Sequence, residues 1–243
     1  MRKLILCCWV TVFVFILAGC GPLNAINPLP GDDMREEIII EKDESQHLDV
    51  NVQFKYGDLT VTGGSSEWVT GELHYTNDRI RIDSDYTTQR ENGAFTIEQK
   101  SKRKINAIFG NQRNSWDLQL SNDVPIDLIV DAGVSDTALD LRGLHLTGLV
   151  VDAGVGSVNI DLSGDWHESF EATIDTGVGE TTIFLPNDVG VKVIAKTGIG
   201  NTSFKGLISQ GKNVYVNEAY ETSDVVIQIV AETGIGETVF ILK

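Results

Sequence analysis

Carboxylates are the side chains here whose type and spacing could do chemistry. Asp131, Asp152 and Asp175 each stand two residues before a glycine, at Gly133, Gly154 and Gly177, and recur at intervals of 21 and 23 residues. If the segments carrying them are strands stacked on one another, they form an outward column with about 4.8 Å between neighbours. A polysaccharide-cleaving site needs a few acids on one face, and a calcium site needs several hard oxygen ligands. The column continues with Lys196, and the nine-residue period of calcium-binding rolls is missing. These acids therefore read as solvated strand residues, and no catalytic or metal residue is assigned. Gly154-Val-Gly156 lacks the third glycine and following helix of a dinucleotide site, so no cofactor is assigned either. There is no Gly-x-Ser-x-Gly elbow. His47, His74, His145 and His167 are scattered without metal-ligand spacing and read as surface residues. The chain is expected not to be an enzyme.

Cys20 carries a different chemistry. Arg2 and Lys3 precede an apolar run from Leu4 to Leu17, broken only by Thr11, and Leu17-Ala18-Gly19-Cys20 follows at once. That is the layout of a secretory signal, and the tetrad resembles the lipobox of bacterial lipoproteins. The resemblance implies that Cys20 becomes the first mature residue, its sulfur joined to a diacylglyceryl group. The alternative is an uncleaved anchor helix, but the run falls short of the roughly 20 apolar residues a bilayer requires. Two or more acyl chains hold a protein at a membrane stably. Cys7 and Cys8 fall within the signal, which leaves no cysteine pair for a disulfide or metal site. Losing Arg2 and Lys3 takes the formal net charge from −16 to −18. Such acidity argues against nucleic acid as a partner and favours solubility beside a similarly charged membrane.

The elements that position these residues follow from a repeat. Asp131-Ala-Gly-Val-Ser135, Asp152-Ala-Gly-Val-Gly156, Asp175-Thr-Gly-Val-Gly179, Lys196-Thr-Gly-Ile-Gly200 and Glu232-Thr-Gly-Ile-Gly236 align without gaps. Only the last interval, 36 residues, departs from the period, which reads as an added corner loop. Apolar residues alternate on both sides of each glycine, as in Leu149 and Val151 before Gly154 and Ile160 and Leu162 after it. Period two is the strand signature. Val155, Ile160, Leu162, Val178, Ile183 and Leu185 are expected to form one buried stack. Ile129, Val150, Thr173, Ile194 and Val230 make a second apolar column on the opposite face, expected to lie beneath the N-terminal β segment or the 206–220 insertion, the alternative being that it stays open as the partner-binding surface. Stacking in register gives an all-β, right-handed β-helix. Tight hairpins at the glycines would instead give an antiparallel β-sandwich.

Upstream, Leu48, Val50, Val52, Phe54 and Tyr56 alternate before Gly57-Asp58, as a worn copy of the repeat unit, and Ile80, Ile82, Phe95 and Ile97 mark further short strands. Lys100, Lys102, Arg103 and Lys104 read as a solvated loop with a basic patch that could meet anionic lipid or wall polymer. Pro22, Pro28 and Pro30 sit in a stretch without apolar period. The organisation expected is a signal peptide over 1–19, a lipidated tether over 20–37, an irregular N-terminal β segment over 38–120 and a glycine-repeat solenoid over 121–243.

Trp116-Asp-Leu-Gln-Leu120, Val124-Pro-Ile-Asp-Leu-Ile-Val-Asp-Ala-Gly133, Leu139-Asp-Leu141 and the Gly-Val-Gly series resemble the toast-rack family of bacterial envelope proteins. Tyr220 followed by Val225-Val-Ile-Gln-Ile-Val-Ala-Glu-Thr-Gly-Ile-Gly236 is similar to the closing strands of the C-terminal domain of membrane-bound cell-wall-stress regulators, and to an adhesin-like β-helix family. The resemblance covers residues 116–243 well and the earlier part loosely, and implies a β-helical envelope domain. Those regulators carry several membrane helices before this domain, where here a lipid anchor is expected, so their signalling role does not transfer directly.

The function expected is that of a lipid-anchored, non-enzymatic extracytoplasmic module for binding, adhesion or scaffolding at the cell envelope. Its partners would be the membrane through its lipid and an envelope protein or wall polymer. An accessory envelope-stress sensor is the alternative, and a polysaccharide-acting enzyme a more distant one. Replacing Cys20 with Ser is predicted to accumulate full-length precursor. Mass spectrometry of the N-terminus decides this, because an intact Met1 or an unmodified Cys20 in the wild-type protein removes the anchor.

Overall fold

The computed structural model describes residues 33–76, 80–101 and 113–243. The expected signal peptide, Cys20 and most of the tether lie outside the described residues, as do Lys102, Arg103 and Lys104. In chain order the strands are β1 (Asp33–Ile40), β2 (His47–Gly63), β3 (Val69–Thr76), β4 (Ile80–Gln89), β5 (Asn92–Ser101), β6 (Asn114–Leu120), β7 (Pro125–Asp140), β8 (His145–Asp161), β9 (Phe170–Leu185), β10 (Gly190–Lys205), β11 (Ile208–Gly211), β12 (Val214–Val216) and β13 (Val226–Leu242). A single 3-10 turn, Glu218–Glu221, is the only helical element among the described residues. Residues 33–37, within the span expected as tether, open β1.

Six long strands stack in parallel and in register, in the order β2-β7-β8-β9-β13-β10. Equivalent repeat positions lie side by side, which is the solenoid arrangement and not the antiparallel sandwich. The partial copy around Gly57 proves to be the first rung, with Tyr56 opposite Val134. The long final interval is no simple corner loop. After β10 the chain runs out through β11 and β12, which pair antiparallel with each other while β12 pairs antiparallel with β10, then returns to insert β13 between β9 and β10.

Each rung is two arms meeting at the glycine corner. Leu149, Val151 and Ala153 face inward before the corner of β8, and Val158, Ile160 and Leu162 after it. Ala153 and Val158 are an odd number of residues apart, so inward-outward alternation must slip by one at the corner. Counted back from the second arm, Val155 falls outside. This is the reason that Val155 and Val178, expected in the buried stack, are 48% and 45% exposed, while Ile160, Leu162, Ile183 and Leu185 are fully buried. The slip uses a residue of positive φ, such as Gly179 at +151°. A Cβ there would collide with the Gly156 carbonyl oxygen of the adjacent rung, so glycine is needed for both conformation and close approach.

Inside the corner the rungs differ. The later ones carry Thr176 and Thr181, Thr233 and Thr238, and Thr197 and Thr202, whose hydroxyls bond within each pair. Thr176 also bonds Thr233 on the next rung at 3.1 Å. The hydroxyls of the first two pairs are buried and those of Thr197 and Thr202 half-buried, and their mutual bonds avoid the cost of an orphaned polar group. At the β2 end, the rung beyond is split into β5 and β6, each pairing in parallel with one arm of β2. Their side-chain amides close the broken corner: Gln99 Oε1 accepts from the Lys55 and Tyr56 amides at 2.9 and 3.3 Å, and Asn114 Nδ2 donates to the Tyr56 carbonyl.

Because Ile183 is fully buried and Val178 half exposed, the two substitutions to alanine should separate. Ile183→Ala is predicted to cost about 2–5 kcal/mol and Val178→Ala no more than about 0.5 kcal/mol, read from denaturant melts of both variants.

Candidate functional surface

The outer face of the first arms consists of columns that run across the rungs. One column comprises Asn51, Ile129, Val150, Thr173, Val230 and Ile194, each opposite the next in register. Ile129, Val150 and Val230 are 37–44% exposed, and Thr173 is exposed too. The expectation that this stripe is covered is therefore overturned. The N-terminal strands continue the stack sideways through β5 and β6, and β12 pairs edge-on with β10. Both candidate covers extend the sheet at its ends, which leaves the stripe open. Ile194, opposite Val214 of β12, and Asn51 at the other end of the column are half-buried.

Acidic columns flank the stripe. On the corner side Asp131, Asp152, Asp175 and Glu232 stand opposite one another, and Glu232 meets Lys196. Insertion of β13 thus places Glu232 between Asp175 and Lys196, and Lys196 Nζ pairs with Glu232 at 2.5 Å. Partial burial, followed by the Glu232 and Asp152 charges, pushes the Asp175 carboxyl up from its ordinary value. On the other side the column reads Asp49, Asp127, Gly148, Glu171, Gln228 and Lys192, acidic on β2, β7 and β9 and basic on β10. Between the corner-side acids and the bend, the bare glycine column leaves an open groove of about 540 Å³ across β8, β9, β13 and β10. Beyond the groove runs a ridge of Val134, Val155, Val178, Ile235 and Ile199, 45–68% exposed. Acidic and apolar columns thus alternate across the face.

Sequence spacing did not reveal one cluster. His47 and Asp49 lie two apart on β2 and so share a face, and Asp127 stands opposite Asp49. His47 Nε2 is 3.3 Å from a carboxylate oxygen of each. Their ligand atoms lie within 4.8 Å of one another, a nitrogen and oxygen set that suits a divalent transition metal in type. Asn92 Nδ2 already donates to Asp49 at 2.7 Å, and the imidazole bridging two carboxylates accounts for the arrangement. The other histidine positions remain apart, with His74 near Glu72 and His145 near Glu168. Lys100 of the basic cluster pairs with Asp83 and Glu98.

The most perturbed carboxylate is Asp43, in the loop between β1 and β2. It accepts from the Ser45 amide at 2.9 Å, Trp68 Nε1 at 3.0 Å, the Tyr86 hydroxyl at 3.0 Å and the Thr88 hydroxyl at 2.6 Å. The Ser45 side chain, then Thr88, hold its carboxyl well below the ordinary value, burial acts against them, and Trp68 and the Ser45 amide lower it further. Perturbed groups often mark function, but the donors here come from the β1–β2 loop, the β2–β3 loop and β4. Asp43 ties those stretches together.

Residues 29–184 match the family described as the N-terminal domain of toast-rack proteins, and residues 134–239 match the C-terminal domain of the cell wall-active antibiotics response protein LiaF. A solved candidate cell adhesion protein from Clostridium sporogenes is 29% identical, with a TM-score of 0.85 over 87% of this chain and all of that one. A candidate adhesin from Bacteroides fragilis is 13% identical, with a TM-score of 0.37 over 87% of this chain and 99% of that one. No curated protein matches. Among the described residues no helix is long and apolar enough to cross a membrane.

Because the folded-state pKa of Asp43 is depressed, its contribution to stability is complete above the unfolded carboxyl value, near pH 4, and is lost as pH falls below it. Asp43→Ala should lower the melting temperature at pH 7, and the gap from wild type should narrow steadily below pH 4. A gap independent of pH would remove the charge from this account.

Proposed function

This chain belongs to the toast-rack family, and we propose that it is a lipid-anchored, non-enzymatic module that binds or adheres at the cell envelope. The observation that carries this reading is the stripe Ile129–Val150–Val230, held open to solvent on a rigid stack of six rungs. Exposed apolar patches on soluble proteins mark interaction sites. The described carboxylates support the same reading. The acids stand in repeating columns, and the most perturbed one is consumed in tying strands together. Anchoring through Cys20 would hold this face outside the cytoplasm, and the likeness to a candidate cell adhesion protein agrees with that placement.

A second reading, an accessory role in an envelope-stress response, is favoured by the match of residues 134–239 to the LiaF C-terminal domain. It requires a membrane-protein partner, which crosslinking in intact cells would capture, and loss of that partner would abolish the stress response.

Val150→Asp tests the binding reading directly. Val150 is exposed, so the variant should keep its circular dichroism and an unfolding free energy within about 0.5 kcal/mol of wild type. It should also lose retention on isolated envelopes. Unchanged retention by a folded variant removes the stripe as the binding face, and outright unfolding removes the premise that Val150 is free.

A further inference from the structure

The interleaving of acidic and apolar columns restricts what can occupy the open face. Stacked carboxylates on Asp131, Asp152 and Asp175 repel one another at the spacing of adjacent strands, about 4.8 Å. Of the cations near this column, Lys196 reaches Glu232 at the β10 end. Lys196 acts on Asp175 only through space, and Asp131 and Asp152 form no ion pair among the described residues, next to apolar side chains that gain from burial. A second copy of this chain would bring identical acidic columns together, and an anionic lipid surface would meet them with like charge. A complementary occupant must carry positive charge beside a narrow apolar line.

Spacing narrows the choice further. An extended strand repeats its same-face side chains about every 6.6 Å, which drifts out of step with the rungs within two of them. An α-helix places one apolar side chain per turn of about 5.4 Å, close to the rung spacing, and is about 10–12 Å across with side chains. The two acidic columns lie about two residues, or some 6.6 Å, to either side of the stripe. Basic side chains on both flanks of the helix would reach them.

Resting on the binding reading above, we propose that this face docks a cationic amphipathic helix lying across the rungs. Its apolar line sits on Ile129, Val150 and Val230, and its lysines or arginines face Asp131, Asp152 and Asp175 on one side and Glu171 on the other. Six rungs at about 4.8 Å span some 24 Å, which a helix of roughly 16 residues covers.

The test uses the full chain in zwitterionic nanodiscs and a fluorescent 18-residue helical peptide of leucine and lysine, with empty nanodiscs as the blank. Anisotropy should show saturable binding that weakens about tenfold or more between 50 and 500 mM salt, as screening of exposed charge requires. Ile129→Ser with Val150→Ser should weaken binding about tenfold. Asp131→Asn with Asp152→Asn and Asp175→Asn should weaken it as much and flatten the salt dependence. Removing stacked like charges should leave the triple variant at least as stable as wild type, so its loss of binding would not reflect unfolding. A peptide that fails to bind, or that binds both variants as tightly as wild type, overturns the proposal, as does self-association of the protein through the same residues in sedimentation. If the peptide fails while Val150→Asp still abolishes retention on envelopes, the helix is wrong and the binding face stands. If neither measurement responds, both fall.

Discussion

Backbone meets backbone at the corners, and the architecture depends on that contact. The first glycine of each pair faces the carbonyl of the rung before it, as Gly154 faces Gly133 and Gly177 faces Gly154. The second, at Gly156, Gly179, Gly236 and Gly200, adopts positive φ and approaches its neighbour still more closely. A side chain at the first position of β7 to β10 and β13, or at the second position of β8, β9, β13 or β10, would meet the neighbouring backbone and push adjacent rungs apart, whereas β7 carries Ser135 at the second position without positive φ. With the corner glycines in place, every rung bends at the same position. The inward columns of both arms can then stack from β2 to β10 as one continuous core.

A stack of identical rungs has two ends, and unpaired ends invite further strand addition. This chain manages them differently. At the β2 end the next rung is broken in two, and the amides of Gln99 and Asn114 stand in for the missing corner. β3 with β1, and β4, then extend the two halves antiparallel. At the other end the chain leaves β10, lays β12 along its first arm with β11 beside β12, stacks Tyr215 on Phe204 with ring centroids 3.5 Å apart, and returns to place β13 inside the stack. Inserting the last strand internally gives β13 a partner on both sides, so the C-terminal segment is held by two parallel ladders.

The face carrying the candidate site is a by-product of the same stacking. In-register pairing turns a residue repeated at one position of each unit into a column, so a preference for Asp before the glycine becomes a line of like charges. Likewise Ile129, Val150 and Val230 become a continuous apolar line. Binding on such a surface is distributed over rungs, which suits a linear partner better than a compact ligand.

The repeat was legible in the sequence because close backbone contact tolerates only glycine at the corner, and because strands alternate with period two. Those local constraints sufficed for the all-β class, the corner positions, the inward residues such as Ile160 and Ile183, and the acidic column. The toast-rack resemblance followed from the same residues. Other features depend on which strand lies beside which, and no local spacing encodes that. The insertion of β13 set Glu232 between Asp175 and Lys196, contacts between β2 and β7 gathered His47, Asp49 and Asp127, and the slip in alternation turned Val155 and Val178 outward. The openness of the Ile129–Val150–Val230 stripe was likewise decided by tertiary structure. An apolar column reads the same in sequence whether another layer covers it or not, and here the spare strands went to the ends of the stack.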